Sequence, residues 1–269
     1  MTDLALPPVR PGFRFGLTSV FRGIGWVVTS PAVWPLAFVP MLVALVIMVG
    51  LGVTTVYLVP GWVGGWLGPA SSLAASILHT VVQVLAVMLG FVVSILAAFA
   101  LAQPFSGPAL ESLVRKQEQA LGAPVRPGNN FVVDVWRSLQ SLLVGYSIGL
   151  PILAVLALAS FLFPPAAVAL VPLKLVVASF TVAWDLCDYP LSIRGLRVAD
   201  RLAIMVRYKS AVFGFGIALA LAGLVPGLLF LLLPCGVAGA ARVVWEIERF
   251  ERSEGRALGG ASPAALPPP

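Results

Sequence analysis

Two arginines flank a short run of small and hydroxyl-bearing residues near the start of the chain. Arg14 and Arg22 lie on either side of Gly16-Leu17-Thr18-Ser19. If a helix begins at this run, its first backbone N–H groups, the hydroxyls and the two guanidinium groups can together hold a tetrahedral dianion. The predicted anion-binding residues are Arg14, Gly16, Leu17, Thr18 and Arg22. An alternative stays open, in which the segment is a membrane-surface helix whose arginines meet lipid phosphates.

A charged island from Trp184 to Lys209 separates two long apolar stretches. Asp185 and Asp188 are three residues apart, so they share one face of a helix, and Pro190 is expected to end that helix at Tyr189. Intramembrane carboxylates often take part in proton coupling, but pairing with the nearby arginines is the favoured role here. We therefore predict that Asp185, Asp188, Tyr189 and Pro190 form a structural site at the cytoplasmic face.

The sequence Gly145-Tyr146-Ser147-Ile148-Gly149 matches the GxSxG pattern of serine hydrolases. That pattern works on a strand-to-helix turn, whereas here it lies in an apolar helical segment in which Gly145 and Gly149 form a GxxxG packing face. His79 is the only histidine and has no metal-ligand spacing around it. An intramembrane serine hydrolase using Ser147 and His79 is the least favoured alternative, and we predict neither enzymatic activity nor a metal or other cofactor.

The elements that carry these residues are membrane helices. The composition is 59% hydrophobic and 10% charged, and no Lys, Arg, Asp or Glu occurs from Gly23 to Leu110, which excludes a soluble domain. The predicted spans are 32–59 and 70–103, joined by an interfacial loop at 60–69. Two hairpins follow: one at 138–184 with its tip near 163–174, and a shorter one at 211–245 with Pro226-Gly227 near its middle and a first arm of about 22 Å.

Two shorter segments have amphipathic helical patterns. Phe13 to Val28 is predicted to lie at the interface and lead into the first span. After Gly195, apolar Val198, Leu202, Met205 and Val206 alternate with Arg197, Asp200, Arg201 and Arg207 on the other side. The second segment is therefore predicted to be a helix along the membrane surface, with its cations on the polar face.

Charge distribution sets the expected orientation and partners. All but one of the 17 cations, Lys174 being the exception, fall on one side of an even-numbered helical fold, so both termini are predicted to be cytoplasmic. The net charge of +6 is spread over several membrane-edge segments, which favours anionic lipid headgroups or a small inorganic anion over nucleic acid. We expect one membrane domain over 1–256 and a disordered tail over 257–269.

Three stretches of the sequence carry a family resemblance. They are Gly16-Leu17 through Pro31 to Pro40; Pro104-Phe105-Ser106-Gly107 leading to Glu111; and Cys187-Asp188-Tyr189-Pro190 followed by basic residues, Phe213-Gly214, Pro226 and Leu233-Pro234-Cys235-Gly236-Val237-Ala238-Gly239-Ala240. Over residues 13–248 the chain resembles the CysZ family of bacterial sulfate-uptake membrane proteins, in the group that includes the eukaryotic etoposide-induced membrane proteins.

The resemblance implies an all-α integral membrane protein with two long transmembrane helices and two helical hairpins that penetrate the membrane only in part, assembled as a homo-oligomer around a pore. It also implies an inner-membrane permease or channel for sulfate or a similar small oxyanion. CysZ proteins carry an Arg pair, associated with sulfate, just after the first Pro, where this chain has Pro31-Ala32-Val33-Trp34-Pro35. That departure keeps open a membrane scaffold of the same fold that does not transport.

Overall fold

A computed structural model of the protein describes residues 9–69, 72–125, 131–224 and 228–258, and every regular element in those ranges is helical. Nine α-helices follow one another, with a 3-10 turn at Pro31–Val33 after the first. They are α1 (Phe13–Thr29), α2 (Trp34–Leu67), α3 (Leu73–Phe105), α4 (Gly107–Ala120), α5 (Phe131–Leu162), α6 (Pro164–Ser192), α7 (Val198–Arg207), α8 (Lys209–Ala222) and α9 (Leu228–Ser253). The predicted all-α fold class is confirmed.

The chain forms two compact units. The first is built from the chain up to Ala37 together with the chain from Gly107 onward, and the second is Phe38–Ser106. The expectation of a single membrane domain stays a prediction. Of the predicted disordered tail, 259–269 lies outside the described residues, and Leu258 packs against the hydrophobic core of the first unit.

The second unit consists of most of α2 together with α3, the two most apolar helices. Thr55 and Ser94 form a buried hydrogen bond of 3.2 Å between them, and a side chain at Gly90 would overlap Thr55. The predicted interfacial loop at 60–69 is wrong over most of its length, because α2 continues through Pro60 to Leu67. Proline removes one backbone hydrogen bond from a helix. The other backbone hydrogen bonds of α2 are enough for the helix to continue past Pro60.

The hairpin of α5 and α6 turns at Phe163, within the predicted tip. Lys174 donates a hydrogen bond of 2.7 Å from Nζ to Ser160 Oγ across the hairpin. The two helices approach closely because Gly145 and Gly149 present no side chain: a Cβ at Gly145 would lie 2.8 Å from Trp184 Cδ1, and one at Gly149 would overlap Thr181. The predicted GxxxG packing face is confirmed.

Helix α1 crosses α8 and α9 through glycines. A Cβ at Gly16 would overlap the carbonyl oxygen of Ala211, and one at Gly214 would overlap that of Phe13. Further along α1, a Cβ at Gly23 would lie 2.5 Å from the carbonyl oxygen of Cys235. These close approaches bring α1 against the core of the first unit, so the amphipathic helix predicted for this segment is held by protein on one side.

The last part of the chain contains one sharp bend. Helices α7 and α8 meet at 91° around Tyr208, and α8 has only 14 residues, about 21 Å at 1.5 Å per residue. The predicted short arm is therefore confirmed, whereas Pro226-Gly227 lies outside the described residues. Helix α9 runs on to Ser253, well beyond the end predicted for the hairpin.

Among the described residues, four helical segments are long and apolar enough to cross a membrane. They are Pro31–Leu67, Leu73–Ala102, Leu143–Leu162 and Ala167–Ser192, and the bent pair of α7 and α8 makes a fifth if it counts as one span. Helices α5 and α6 thus have the length for complete crossings. Helix α8 is long enough to cross only if α7 is counted with it.

Candidate functional site

The predicted anion site lies on the first turns of α1. This helix begins at Phe13 with Gly12 as an extended N-cap, and the N–H of Gly16 donates to the carbonyl of Gly12 at 3.1 Å. The helix predicted from Phe13 is therefore confirmed, whereas Gly16 to Ser19 lie one turn inside it and not at its first N–H groups, because Gly12 already has the extended conformation that precedes a helix. The N–H of Gly16 is used within the helix and is not a free donor.

The remaining residues of that site differ in what they offer an anion. The Thr18 hydroxyl donates to the carbonyl of Arg14 at 2.9 Å, and Leu17 is half-buried. The side chains of Arg14 and Arg22 are exposed and make no hydrogen bond or ion pair with another described residue. Anion binding on α1 therefore stays a prediction that rests on the two guanidinium groups.

Arg242 of α9 is a third arginine in this region, and the sequence did not single it out. Its Nε is buried and has no hydrogen-bond partner among the described residues. Burial lowers the pKa of Arg242, the positive charge of Arg22 lowers it further, and Glu246 offsets part of the effect. The guanidinium groups of Arg22 and Arg242 repel each other, and the buried Nε of Arg242 is an unused donor. A bound oxyanion would stabilise this arrangement.

The glycine contacts explain how Arg22 and Arg242 come together. Gly23, next to Arg22, lies against Gly239 of α9, where a Cβ would be 2.6 Å from the Gly239 nitrogen. Gly239 in turn faces Ser19: a Cβ added at Gly239 would lie 2.8 Å from the carbonyl oxygen of Ser19. Arg242 follows Gly239 by one turn, so the close crossing of α1 and α9 places long side chains from both helices in the same region. No periodicity of either helix reveals this crossing.

The charged island forms ion pairs rather than an open site. Asp188 pairs with Arg201, and both side chains are buried, so the predicted ion-pair role is confirmed for Asp188. Asp185 makes no ion pair with a described residue; its Oδ1 is buried without a hydrogen bond and lies 2.9 Å from an ideal Cβ at Gly145. Pairing of Asp185 with an arginine therefore stays a prediction, and its side chain faces α5.

Pro190 does not end α6, and Tyr189 is not the last helical residue. The helix continues to Ser192, and the Pro190 carbonyl accepts a hydrogen bond from Arg194 Nη1. The prediction failed because proline at this position removes only its own N–H donor, and the remaining hydrogen bonds carry the helix two residues further, to Ser192. Tyr189 is buried in the core cluster.

Arg194 connects three helical segments. It lies just after α6 and pairs with Glu118 of α4 at 2.8 Å and with Glu248 of α9 at 2.6 Å, and all three side chains are nearly buried. Buried carboxylates on two helices with one arginine between them fix the relative positions of those helices. The sequence prediction included neither Glu118 nor Glu248, since only their place in the fold brings them to Arg194.

Glu251 of α9 is a further buried carboxylate, and it accepts hydrogen bonds from three side chains. Tyr208 Oη donates to its Oε1 at 2.5 Å, Arg207 at 3.2 Å, and Arg256 donates to Oε2 at 2.8 Å. Burial alone would raise the pKa of Glu251, but these hydrogen bonds outweigh it and hold the pKa below its ordinary value. Glu251 therefore anchors the bend between α7 and α8 to α9.

Ser147 does not lie on the kind of turn that a serine hydrolase needs. Ser147 lies in the middle of α5, where its hydroxyl donates to the carbonyl of Val144 at 3.0 Å. His79 belongs to the other unit, beside Gly64 of α2. The strand-to-helix turn that exposes such a serine is replaced here by continuous helix. Among the described residues no group of three or more His, Cys, Asp or Glu side chains could hold a metal ion.

The helices and the charged contacts define a multi-pass, all-α membrane protein with two long apolar helices in one unit and two further candidate spans in the other. Residues 19–234 match the family described as sulfate transporter CysZ/etoposide-induced protein 2.4, and the chain belongs to that family. The family is one of transporter type and not of enzymes. No curated protein matches the chain significantly.

Proposed function

We propose that this protein is an inner-membrane permease or channel that moves sulfate or a similar small oxyanion. Membership of the sulfate transporter CysZ/etoposide-induced protein 2.4 family supports the transport class. The observation that carries the choice of an oxyanion is the crossing of α1 and α9 at Gly23 and Gly239, the residues one and three positions from Arg22 and Arg242, together with the buried Nε of Arg242, which has no acceptor among the described residues. Guanidinium groups bind tetrahedral oxyanions through paired hydrogen bonds, which a lysine cannot reproduce.

The proposed site replaces the Arg pair that is missing after the first Pro. In this chain one guanidinium comes from α1 and the other from α9, and Arg14 lies two turns before Arg22 on the same helix. The crossing of α1 and α9 through Gly23 and Gly239 keeps the two arginines together. A dianion between them would offset the repulsion that lowers the pKa of Arg242.

The proposal includes an orientation and an assembly. Both termini face the cytoplasm, as the distribution of cations favours, and copies of the chain associate as a homo-oligomer in the bilayer. Anionic headgroups and the small anion are the expected partners. A membrane scaffold of the same fold without transport is the competing function, and the experiment below separates the two.

The test is uptake of radiolabelled sulfate into proteoliposomes made from zwitterionic lipid, which removes competing anionic headgroups. Uptake should be saturable and should fall about tenfold or more in Arg242→Gln and Arg22→Gln, because a hydrogen bond to a charged group contributes about 1.5–3 kcal/mol. Arg22→Lys should lie between Arg22→Gln and the unmodified protein. Arg197→Gln is the matched control, since the Arg197 side chain is 85% exposed and Asp200 is its one ion-pair partner in the described part of the chain.

An imposed membrane potential provides a second readout. An interior-positive potential should accelerate uptake, because 100 mV changes the free energy of a dianion by about 4.6 kcal/mol. Absence of uptake with the unmodified protein would favour the scaffold. Equal uptake by Arg22→Gln, Arg242→Gln and Arg197→Gln would remove these arginines from the proposed site.

A further inference from the structure

An apolar groove runs between α5 and α6 and ends at the bend between α7 and α8. Its volume is about 360 Å³, within the range of about 300–1,000 Å³ typical of ligand pockets. Side chains of all four helices line it, among them Ile152, Val176, Phe180, Leu202 and Val206. Ile152, Leu202 and Val206 are exposed, so the groove opens toward the medium around these helices. It lies wholly within the first unit.

The walls of the groove are held by packing already described. Gly145 and Gly149 line it and let α5 approach Trp184 and Thr181 of α6. Phe180 stacks on Phe213 of α8 with 5.6 Å between ring centroids. These contacts fix the groove as a feature of the folded unit, so that it does not depend on the rotamer of one surface side chain.

Lys209 is the one cation in the described lining of the groove. It is exposed, forms no ion pair with a described residue, and no carboxylate belongs to the described lining; Asp185 touches Gly145 from outside that lining. Arg207, two residues before Lys209, is paired with Glu251 at 3.2 Å, and Arg10 Nη2 donates to the carbonyl of Arg207 at 3.1 Å. The groove is thus apolar along its length and positive at one end.

An apolar channel that ends in a cation matches an amphiphile with an anionic head. Helices α5 and α6 are among the segments apolar enough to cross a membrane, whereas α7 has the amphipathic pattern of a helix at the membrane surface. Lys209 follows α7 directly, so a headgroup phosphate at the surface and an acyl chain along α5 and α6 satisfy both ends of the groove.

We propose that this groove is a lipid site that holds one acyl chain of an anionic phospholipid, with the phosphate bound by Lys209. One lysine near an anionic surface changes the affinity about fivefold. The site is separate from the arginines proposed for the oxyanion, because none of Arg14, Arg22 and Arg242 lines the groove. Lipid binding is therefore expected whether or not the protein transports sulfate.

Native mass spectrometry of the full chain in mild detergent tests this site, with phosphatidylglycerol and phosphatidylcholine as the added lipids. Phosphatidylglycerol should be retained at one molecule per chain, more tightly than phosphatidylcholine. Lys209→Gln should weaken phosphatidylglycerol about fivefold and phosphatidylcholine less, because the choline cation already offsets the charge of the phosphate in that lipid. Lys116→Gln, which removes another exposed lysine charge outside the lining, is the control and should have no effect.

A groove-filling variant tests the acyl chain separately from the charge. Val206→Trp should displace both lipids about equally, whereas Leu221→Trp, at an exposed position outside the lining, should displace neither. Phosphatidylglycerol with a photoreactive group on its acyl chain should label peptides of α5, α6 and α7, and Val206→Trp should abolish that labelling.

Three results would overturn the proposal. The first is equal loss of phosphatidylglycerol in Lys209→Gln and Lys116→Gln, and the second is retention of both lipids by Val206→Trp. The third comes from photocrosslinking with benzoylphenylalanine in place of Ile152, which should give lipid adducts on illumination if the proposal is correct. Adducts between two chains in its place would make the groove an interface between copies of the protein.

Discussion

Asp188 of α6 and Arg201 of α7 form an ion pair in which both side chains are buried. This pair determines which side of α7 meets the rest of the protein, because Arg201 turns inward with Ile204 and Met205. Leu202 and Val206 are left exposed on the outer side and line the apolar groove. One ion pair therefore orients an entire surface helix.

Removing one partner of this pair should destabilise the protein strongly. Arg201→Ala removes the arginine that pairs with the buried Asp188 carboxylate, and breaking a buried ion pair typically costs about 3–5 kcal/mol. Arg197→Ala, which breaks an exposed pair with Asp200 on the same helix, should cost about 0–1 kcal/mol. Denaturant or thermal unfolding in detergent, followed by circular dichroism, measures both. Equal midpoints for the two variants would contradict the role given to Asp188.

The same helix shows what its sequence could and could not predict. The bounds of α7 follow from Gly195 and the apolar period, and both agree with the structure. Its rotation does not follow, because Arg201 was expected on the polar face and is buried. An amphipathic pattern assigns every arginine to the solvent-exposed face of the helix. Asp188, 13 residues earlier in the chain, pairs with Arg201 and makes burial of this one arginine favourable.

The anchoring of Glu251 predicts a loss of stability on acidification. Since hydrogen bonds hold the pKa of Glu251 below its ordinary value, the unfolded chain binds the proton more readily than the folded protein does. The stabilisation is therefore complete above the ordinary glutamate pKa and is lost as the pH falls through the lowered pKa. Glu251→Gln should be less stable than the unmodified protein at about pH 7, and the difference should shrink toward about pH 3.

Thermal midpoints across that pH range measure the effect of Glu251. Glu254→Gln serves as the control, because Glu254 is 48% exposed and its one described partner is Arg256 at 3.7 Å. A difference between Glu251→Gln and the unmodified protein that stays constant with pH would show that ionisation of Glu251 does not contribute.

The close crossing of α1 and α8 predicts unequal effects of alanine at two glycines of α1. Gly16→Ala should destabilise by about 1–3 kcal/mol, because its Cβ would overlap the carbonyl oxygen of Ala211. Gly25→Ala meets no atom within 4 Å and should stabilise by up to about 1 kcal/mol through helix propensity. Unfolding midpoints of the two purified variants measure this contrast. Tolerance of both alanines would exclude the crossing.

The candidate oxyanion site shows a second limit of sequence reasoning. Arg14 and Arg22 were predicted from their spacing around Gly16-Leu17-Thr18-Ser19, but Arg242 is more than 200 residues away in the chain. It reaches the site only because Gly23 and Gly239 permit α1 and α9 to touch. Local patterns predict helices and their apolar faces, whereas long-range glycine contacts decide which side chains meet.

The orientation is testable with single cysteines. Both native cysteines, Cys187 and Cys235, are buried and should give little background. A membrane-impermeant thiol reagent applied to intact cells should label cysteine at Gly65, which has open space around it, and should spare cysteine at Ser253, which becomes reactive after permeabilisation. Labelling of both positions in intact cells would indicate mixed orientation and contradict the positive-inside assignment.

The GxSxG segment predicts opposite outcomes at neighbouring positions. Gly149→Leu forces a branched side chain into Thr181, so α5 and α6 must separate, and the variant should unfold at a lower temperature or lose its assembled form. Ser147→Ala removes an exposed hydroxyl that donates only to the carbonyl of Val144, so folding and sulfate uptake should be nearly unchanged. Size-exclusion chromatography and the proteoliposome assay measure the two effects. A proteolytic activity that disappears in Ser147→Ala would reverse this interpretation and make Ser147 a nucleophile, against its position in the middle of a continuous helix.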